Sequence, residues 1–216
     1  MNYRKYFKKL EPVIEDFLNA FDKLENLRKG ITCFASSKIT SGKEYDLAVK
    51  VCSKLSKKGY SIITGGGPGI MEACNKGAKQ GKGKSIGLTM DIVGQENNSD
   101  LDIEVKFKYF FSRKVTFARY ANAFIVFPGG FGTLDELFEV LTLVQTQHIK
   151  RRPIILIGTE YWDKLEGFIY DKLLENGAIK KKDLKLFTIT DDISEVVATI
   201  DKFVEEKDRF KRKKFI

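Results

Sequence analysis

Residues that commonly build metal centres are scarce in this sequence: one histidine and three cysteines among 216 residues. Cys33, Cys52 and Cys74 stand far apart in the chain and form no CxxC pair. That spacing excludes a sequence-evident zinc motif or disulfide framework and reads as reduced core thiols in a reducing compartment. No cluster with metal-ligand spacing and no GxSxG nucleophile turn occurs. Uninterrupted apolar runs never approach the roughly 18 residues of a membrane span. The basic start MNYRKYFKKL runs into Glu11, Pro12 and Asp16 without the apolar stretch of a signal peptide. The expectation is a cytoplasmic protein with no membrane partner. Acidic side chains also fall short, with 38 Lys and Arg against 29 Asp and Glu and a net charge of +9. Much of the excess sits at the two ends, where blocks of like charge are solvated tails. No nucleic-acid-binding signature accompanies it. The sequence thus predicts no dedicated nucleic-acid partner, but a basic surface that attracts small anions.

What is present is the pattern of an α/β globule. Hydrophobic residues at 43% and charged residues at 31% suit a packed soluble core. Residues 1–29 carry Val13, Ile14, Phe17, Leu18, Phe21 and Leu24 at helical spacing, an amphipathic extension that packs on the main domain or on a partner subunit. ITCFAS, YSIIT, SIGLTM, IEVKFKYF, AFIVFP and PIILIG read as strands that alternate with helices. One further weak strand and a terminal helix close the pattern. Ser41 with Glu44 reads as a capping box, Gly59 as a helix stop, and Leu134, Leu137, Phe138, Leu141 and Val144 as a buried helix stripe. Apolar strands alternating with helices imply a single parallel, doubly wound Rossmann-like sheet with helices on both faces. The predicted organisation is an extension at 1–29, one nucleotide-binding domain at 30–206 and a basic tail at 207–216.

Two glycine-rich turns carry the chemistry. Gly65-Gly66-Gly67-Pro68-Gly69 follows the second strand and opens a helix, where free amides make an anion site and Pro68 suits the first turn. Asp91 lies at a separation suited to a ribose contact. The pattern is GGGPGI rather than GxGxxG, so a tight turn that binds nothing is the competing reading. Pro128-Gly129-Gly130-Phe131-Gly132-Thr133 follows the fifth strand. No Lys precedes Thr133, so it is not a Walker A loop. Its amides and the Thr133 hydroxyl can hold a monophosphate, or Thr133 and Glu136 can form a plain capping box. Two such turns at the carboxyl ends of strands in one sheet face a common crevice. His148 reads as a helix-end or interface residue. Trp162, Tyr161, Phe107, Phe110 and Phe111 read as core.

GGGPGIMEA at 65–73 and PGGFGTLDELFE at 128–139, with Arg113-Lys114 between them, resemble the signature motifs of the Lonely Guy family. These are cytokinin riboside 5′-monophosphate phosphoribohydrolases long labelled lysine decarboxylases. The likeness spans about residues 30–190. It implies hydrolysis of the N-glycosidic bond between an adenine-type base and ribose 5-phosphate without metal or cofactor. Carried over by position, Glu136 and Arg113 are the catalytic pair. Gly129, Gly130, Gly132 and Thr133 hold the phosphate, and Gly65, Gly66, Gly67, Met71 and Lys114 line the nucleotide pocket. The resemblance also implies at least a dimer, and it leaves open whether adenosine monophosphate or a prenylated nucleotide is preferred. A carboxylate beside a developing ribosyl cation and a permanent cation beside a phosphate suit that reaction. A decarboxylase would need a pyridoxal phosphate site, of which no recognisable version occurs. A nucleotide sensor or carrier that does not hydrolyse its ligand is the remaining alternative.

Overall fold

A computed structural model describes residues 3–90 and 97–213. Seven parallel strands form one sheet in the order β4-β3-β2-β1-β5-β6-β7. The strands are β1 Gly30–Phe34, β2 Ser61–Thr64, β3 Ser85–Met90, β4 Ile103–Phe107, β5 Ala121–Val126, β6 Ile154–Leu156 and β7 Thr188–Ile189. All five residues of β1 and all six of β5 are buried, as expected where helices cover both faces of a parallel sheet. β1 pairs with β2 on one side and with β5 on the other. Strand order reverses there, and in such sheets the crevice beyond the carboxyl ends at that reversal is where ligands bind.

The helices are α1 Tyr3–Leu24, α2 Lys43–Lys57, α3 Ile70–Ala78, α4 Phe110–Tyr120, α5 Phe131–Gln145, α6 Thr159–Phe168 and α7 Ile193–Lys213. Residues Ile169–Leu174 continue α6 as a π-helical turn. The helices divide the core in two. On one face, Ala48, Val51, Cys52 and Leu55 of α2 and Ile70, Ala73 and Cys74 of α3 pack with Val196 and Ile200 of α7. On the other, Phe34, Phe117 and Phe124 pack with Leu137, Val140 and Trp162. Gly77 makes the first layer thin, because a Cβ there would lie 2.5 Å from the Val49 carbonyl.

Several expectations need correction. α2 is entered through Gly42 at φ +98° with no side-chain cap, so Ser41 and Glu44 form no capping box. α3 starts at Ile70 with Gly69 as its cap, so Pro68 precedes the helix. The inner stripe of α5 is Thr133, Leu137, Val140 and Val144, and Phe138 is exposed. In α1 the buried positions are Asp16, Ala20 and Leu24, while Ile14, Leu18 and Phe21 face outward. Phe110, Phe111 and Tyr161 are exposed, whereas Trp162 and Phe107 are core. The three cysteines, remote in sequence, meet in the core. They are free, and their sulfurs lie within 4.8 Å of one another. Burial holds the Cys52 and Cys74 thiols well above their usual range. Among the described residues, no helix is long and apolar enough to cross a membrane.

Candidate active site

The first glycine turn is held by a buried amide network. Gly66 N–H donates to Thr64 Oγ1 at 2.9 Å, and that hydroxyl donates to Asn75 Oδ1 at 2.6 Å. Asn75 Nδ2 donates to Ser85 Oγ, and Asn98 Nδ2 reaches the Gly67 carbonyl at 2.9 Å. Asn75 is fully buried. Gly66 has φ +69°, a conformation that an L side chain rarely adopts. At Gly69 a Cβ would stand 2.7 Å from the Ser36 carbonyl. That close approach lets Ile70 N–H donate to Ser36 at 3.0 Å. One amide of the α3 terminus is therefore already occupied.

The second turn leaves its amides unspent. Gly130 caps α5 with no side-chain hydrogen bond, and the first intrahelical bond runs from Leu134 N–H to the Gly130 carbonyl. The amides of Phe131, Gly132 and Thr133 precede it and have no acceptor in the helix. Thr133 lies inside the helix and Glu136 nearly a turn beyond it, so the capping-box reading of this pair falls. A Cβ at Gly129 would meet Thr133 Oγ1 at 2.1 Å, which makes glycine necessary where the turn folds back on the helix. Tyr161 of α6 donates its hydroxyl to the Gly129 carbonyl and props the turn from outside.

Between the turns lies a cavity of about 240 Å³, lined by β1 residues Cys33 and Phe34, the following Ala35 to Lys38, Gly65, Met71, Phe110, Arg113, Gly130, Gly132, Thr133 and Glu136. Arg113 reaches it from α4 and Glu136 from α5. Their side chains are 11% and 14% exposed, and Arg113 Nη2 lies 3.9 Å from Glu136 Oε1. The guanidinium stacks over Phe110 and Phe117, at 5.2 Å and 5.7 Å from the ring centres. Its buried Nε has no hydrogen-bond partner. An unspent buried donor is costly, so this site is built for an acceptor. Burial pushes the Glu136 carboxyl up to about 7; Arg113 pulls it back, and Asp135 and Glu139 add to the rise. Burial likewise lowers the Arg113 pKa, with Glu136 and Asp135 opposing.

The expected site residues thus divide. Gly65, Met71, Arg113, Gly130, Gly132, Thr133 and Glu136 line one cavity, whereas Gly66, Gly67 and Gly129 shape the turns behind it. Lys114 does not reach it. Its ammonium lies 3.1 Å from Asp135 and 3.5 Å from Glu139, a clamp between α4 and α5. Burial opposes that charge, but the two carboxylates outweigh it and the Lys114 pKa is raised. Asp91 lies outside the described residues. His148 is exposed at the end of α5, bonded to Thr146 Oγ1 at 2.8 Å. Larger hollows of about 910 and 560 Å³ lie at the opposite end of the strands, beside the starts of β5 and β6.

With this geometry in hand, comparison with known proteins is decisive about descent. Residues 71–200 match the family described as "Possible lysine decarboxylase". A cytokinin riboside 5′-monophosphate phosphoribohydrolase of Arabidopsis thaliana is 30% identical over 192 residues, covering 86% of this chain and 87% of its own length. The chain belongs to this family, the Lonely Guy family. A second Arabidopsis enzyme of that name is 29% identical over 88% of this chain and 91% of its own length. Among solved structures, a structural-genomics target named TM1055 superposes with a TM-score of 0.63 at 22% identity, covering 81% of this chain and 99% of its own. The molybdenum cofactor carrier protein of Chlamydomonas reinhardtii does so with a TM-score of 0.62 at 20% identity, over 82% of this chain and 99% of its own. These two likenesses concern the fold. Both family signatures and the Arg113-Lys114 pair fall on the elements around the cavity.

Proposed function

We propose that this protein hydrolyses a purine nucleoside 5′-monophosphate to free base and ribose 5-phosphate. The observation that carries the reading is the buried guanidinium of Arg113, its Nε without a hydrogen-bond partner, facing the buried carboxyl of Glu136 beside the open amides of α5. The names of the relatives supply the reaction class. The phosphate docks on the amides of Phe131 to Thr133 at the positive end of the α5 dipole. As the C1′–N bond breaks, its electron pair leaves with the base and the ribose gains positive charge. Ionised Glu136 stabilises that charge in a water-poor cavity. Water adds its oxygen to C1′ and supplies the proton that the departing base takes up, so the step balances without a cofactor. Arg113 binds phosphate or ribose oxygens and pulls Glu136 toward its charged form. The cavity falls below the roughly 300–1,000 Å³ usual for small-molecule sites, so the base extends beyond it past the exposed Phe110 of its lining. We further propose a homodimer or larger even-numbered assembly in the cytoplasm, in which a second copy covers such exposed apolar residues.

The test is release of free base from a panel of monophosphates, adenosine monophosphate and a prenylated analogue included, with the matching nucleosides as controls. Base from the monophosphates alone is the expected result. Tight binding of intact monophosphate without base release would make the protein a nucleotide carrier instead.

A further inference from the structure

We infer that Asp16, on the N-terminal helix α1, is a positioning residue that fixes Arg113 by capping the helix on which Arg113 stands. The inference rests on the proposed reaction only in the role it gives Arg113. α4 begins with Tyr109 as its N-cap, has no side-chain cap of its own and carries no acidic residue in its first turn. Arg113 is the fourth helical residue, and its N–H makes the first intrahelical bond, to the Tyr109 carbonyl at 3.3 Å. A cation so close to the positive end of a helix dipole is destabilised, and the amides before it lack intrahelical acceptors.

Asp16 brings a carboxylate to this end of α4 from another element, on the amides of the two residues just before the helix. Asp16 as a whole is 3% exposed. Oδ1 and Oδ2 accept from Lys108 N–H at 3.0 and 3.2 Å, Oδ2 accepts from Tyr109 N–H at 3.1 Å, and Ser112 Oγ donates to Oδ2 at 2.5 Å. Ser112 is the residue before Arg113. Further along α1, Lys23 Nζ donates to the Glu104 carbonyl of β4 at 2.7 Å, whereas the adjacent Glu15 makes only an exposed pair with Lys108 Nζ at 2.8 Å. The carboxylate supplies the negative charge that α4 lacks and locks its first turn. The Arg113 guanidinium, which makes no hydrogen bond through Nε, depends on that backbone for its place.

The test uses the full chain with Asp16→Asn, which keeps the shape but removes the charge and leaves one acceptor oxygen in place of two, and Glu15→Gln as the neighbouring control. In base release, Asp16→Asn should lower kcat about tenfold with little change in KM, and Glu15→Gln should change neither. The loss should vanish when Arg113 is already Ala, because residues acting through one another are non-additive. An equal loss in both backgrounds, or no loss, overturns the inference. A readout independent of activity is the carboxyl titration of Glu136 by carbon-13 NMR in the unliganded chain. Glu136 faces Arg113, Lys114, Asp135 and Glu139. Simple removal of a distant negative charge lowers its pKa, whereas disengagement of Arg113 raises it. A rise in Asp16→Asn is the expected result, and a fall or no change refutes the positioning role. If the wild-type chain releases no base, the proposed reaction fails, and the titration still decides the role of Asp16.

Discussion

At the scale of single residues, Glu136 sets activity against stability. Its carboxyl titrates near 7 in the folded chain and near 4.5 when unfolded. Below pH 4.5 both states hold the proton, and the group contributes nothing. Between 4.5 and 7 the folded chain keeps a proton that the unfolded chain has lost, so stability falls as pH rises. By pH 8 the loss amounts to about 3 kcal/mol. Glutamine resembles the protonated carboxyl, so Glu136→Gln should remove this pH dependence and melt higher than wild type at pH 8. If the charge stabilises the ribosyl cation, the same variant should lose about a hundredfold in turnover, about 2.7 kcal/mol of barrier. In the wild type, kcat/KM should rise through about pH 7, and Arg113→Ala should move that rise to higher pH. Thermal melts and base release across pH 5 to 9 measure both. A Glu136→Gln protein with near-normal turnover would remove this residue from the mechanism.

At the scale of elements, the first glycine turn is only as rigid as the amide behind it. Asn75 bonds Thr64, Ser85 and Asn98 at once. Asn75→Ala would strand buried partners at a cost of about 2–4 kcal/mol. We expect a large fall in Tm, together with weaker monophosphate binding by calorimetry. Unchanged binding would show that the turn keeps its shape unaided. Asn75 also shows where sequence reading stops. The glycine runs were legible because strand, glycine and helix follow one another locally, and so were the strands and their parallel order class. The network behind the turn joins residues 64, 75, 85 and 98, and no spacing rule connects them. In the sequence Asp16 is only a charge that breaks the apolar run after the basic start, and Tyr161 reads as core beside Trp162, because their partners on α4 and at Gly129 are remote in sequence. Thr133 and Glu136 matched a capping spacing, yet Gly130 begins the helix and shifts both inward. Phe138 fitted the helical stripe, but the axis turns it outward and buries Val140 instead.

At the scale of the whole molecule, apolar surface remains uncovered. Phe7, Leu10 and Leu18 on α1 are 67%, 54% and 62% exposed, and Phe131, at the start of α5, is 93% exposed. In the proposed assembly this surface is the interface, so light scattering at micromolar concentration should give at least twice the mass of one chain. A monomer under those conditions would speak against the proposed assembly. The strand order has another consequence, for synthesis on the ribosome. β1 lies at the middle of the finished sheet, but its second neighbour, β5, is made about ninety residues after it. Until then β1 is an edge, with a full row of unpaired amides and carbonyls beside apolar side chains, the kind of template that pairs wrongly. A chain arrested before Ala121 leaves the exit tunnel should therefore be cut readily by protease and held by chaperones. One arrested after β6 has emerged should resist. Equal resistance at both lengths would mean that the first half folds without its central partner.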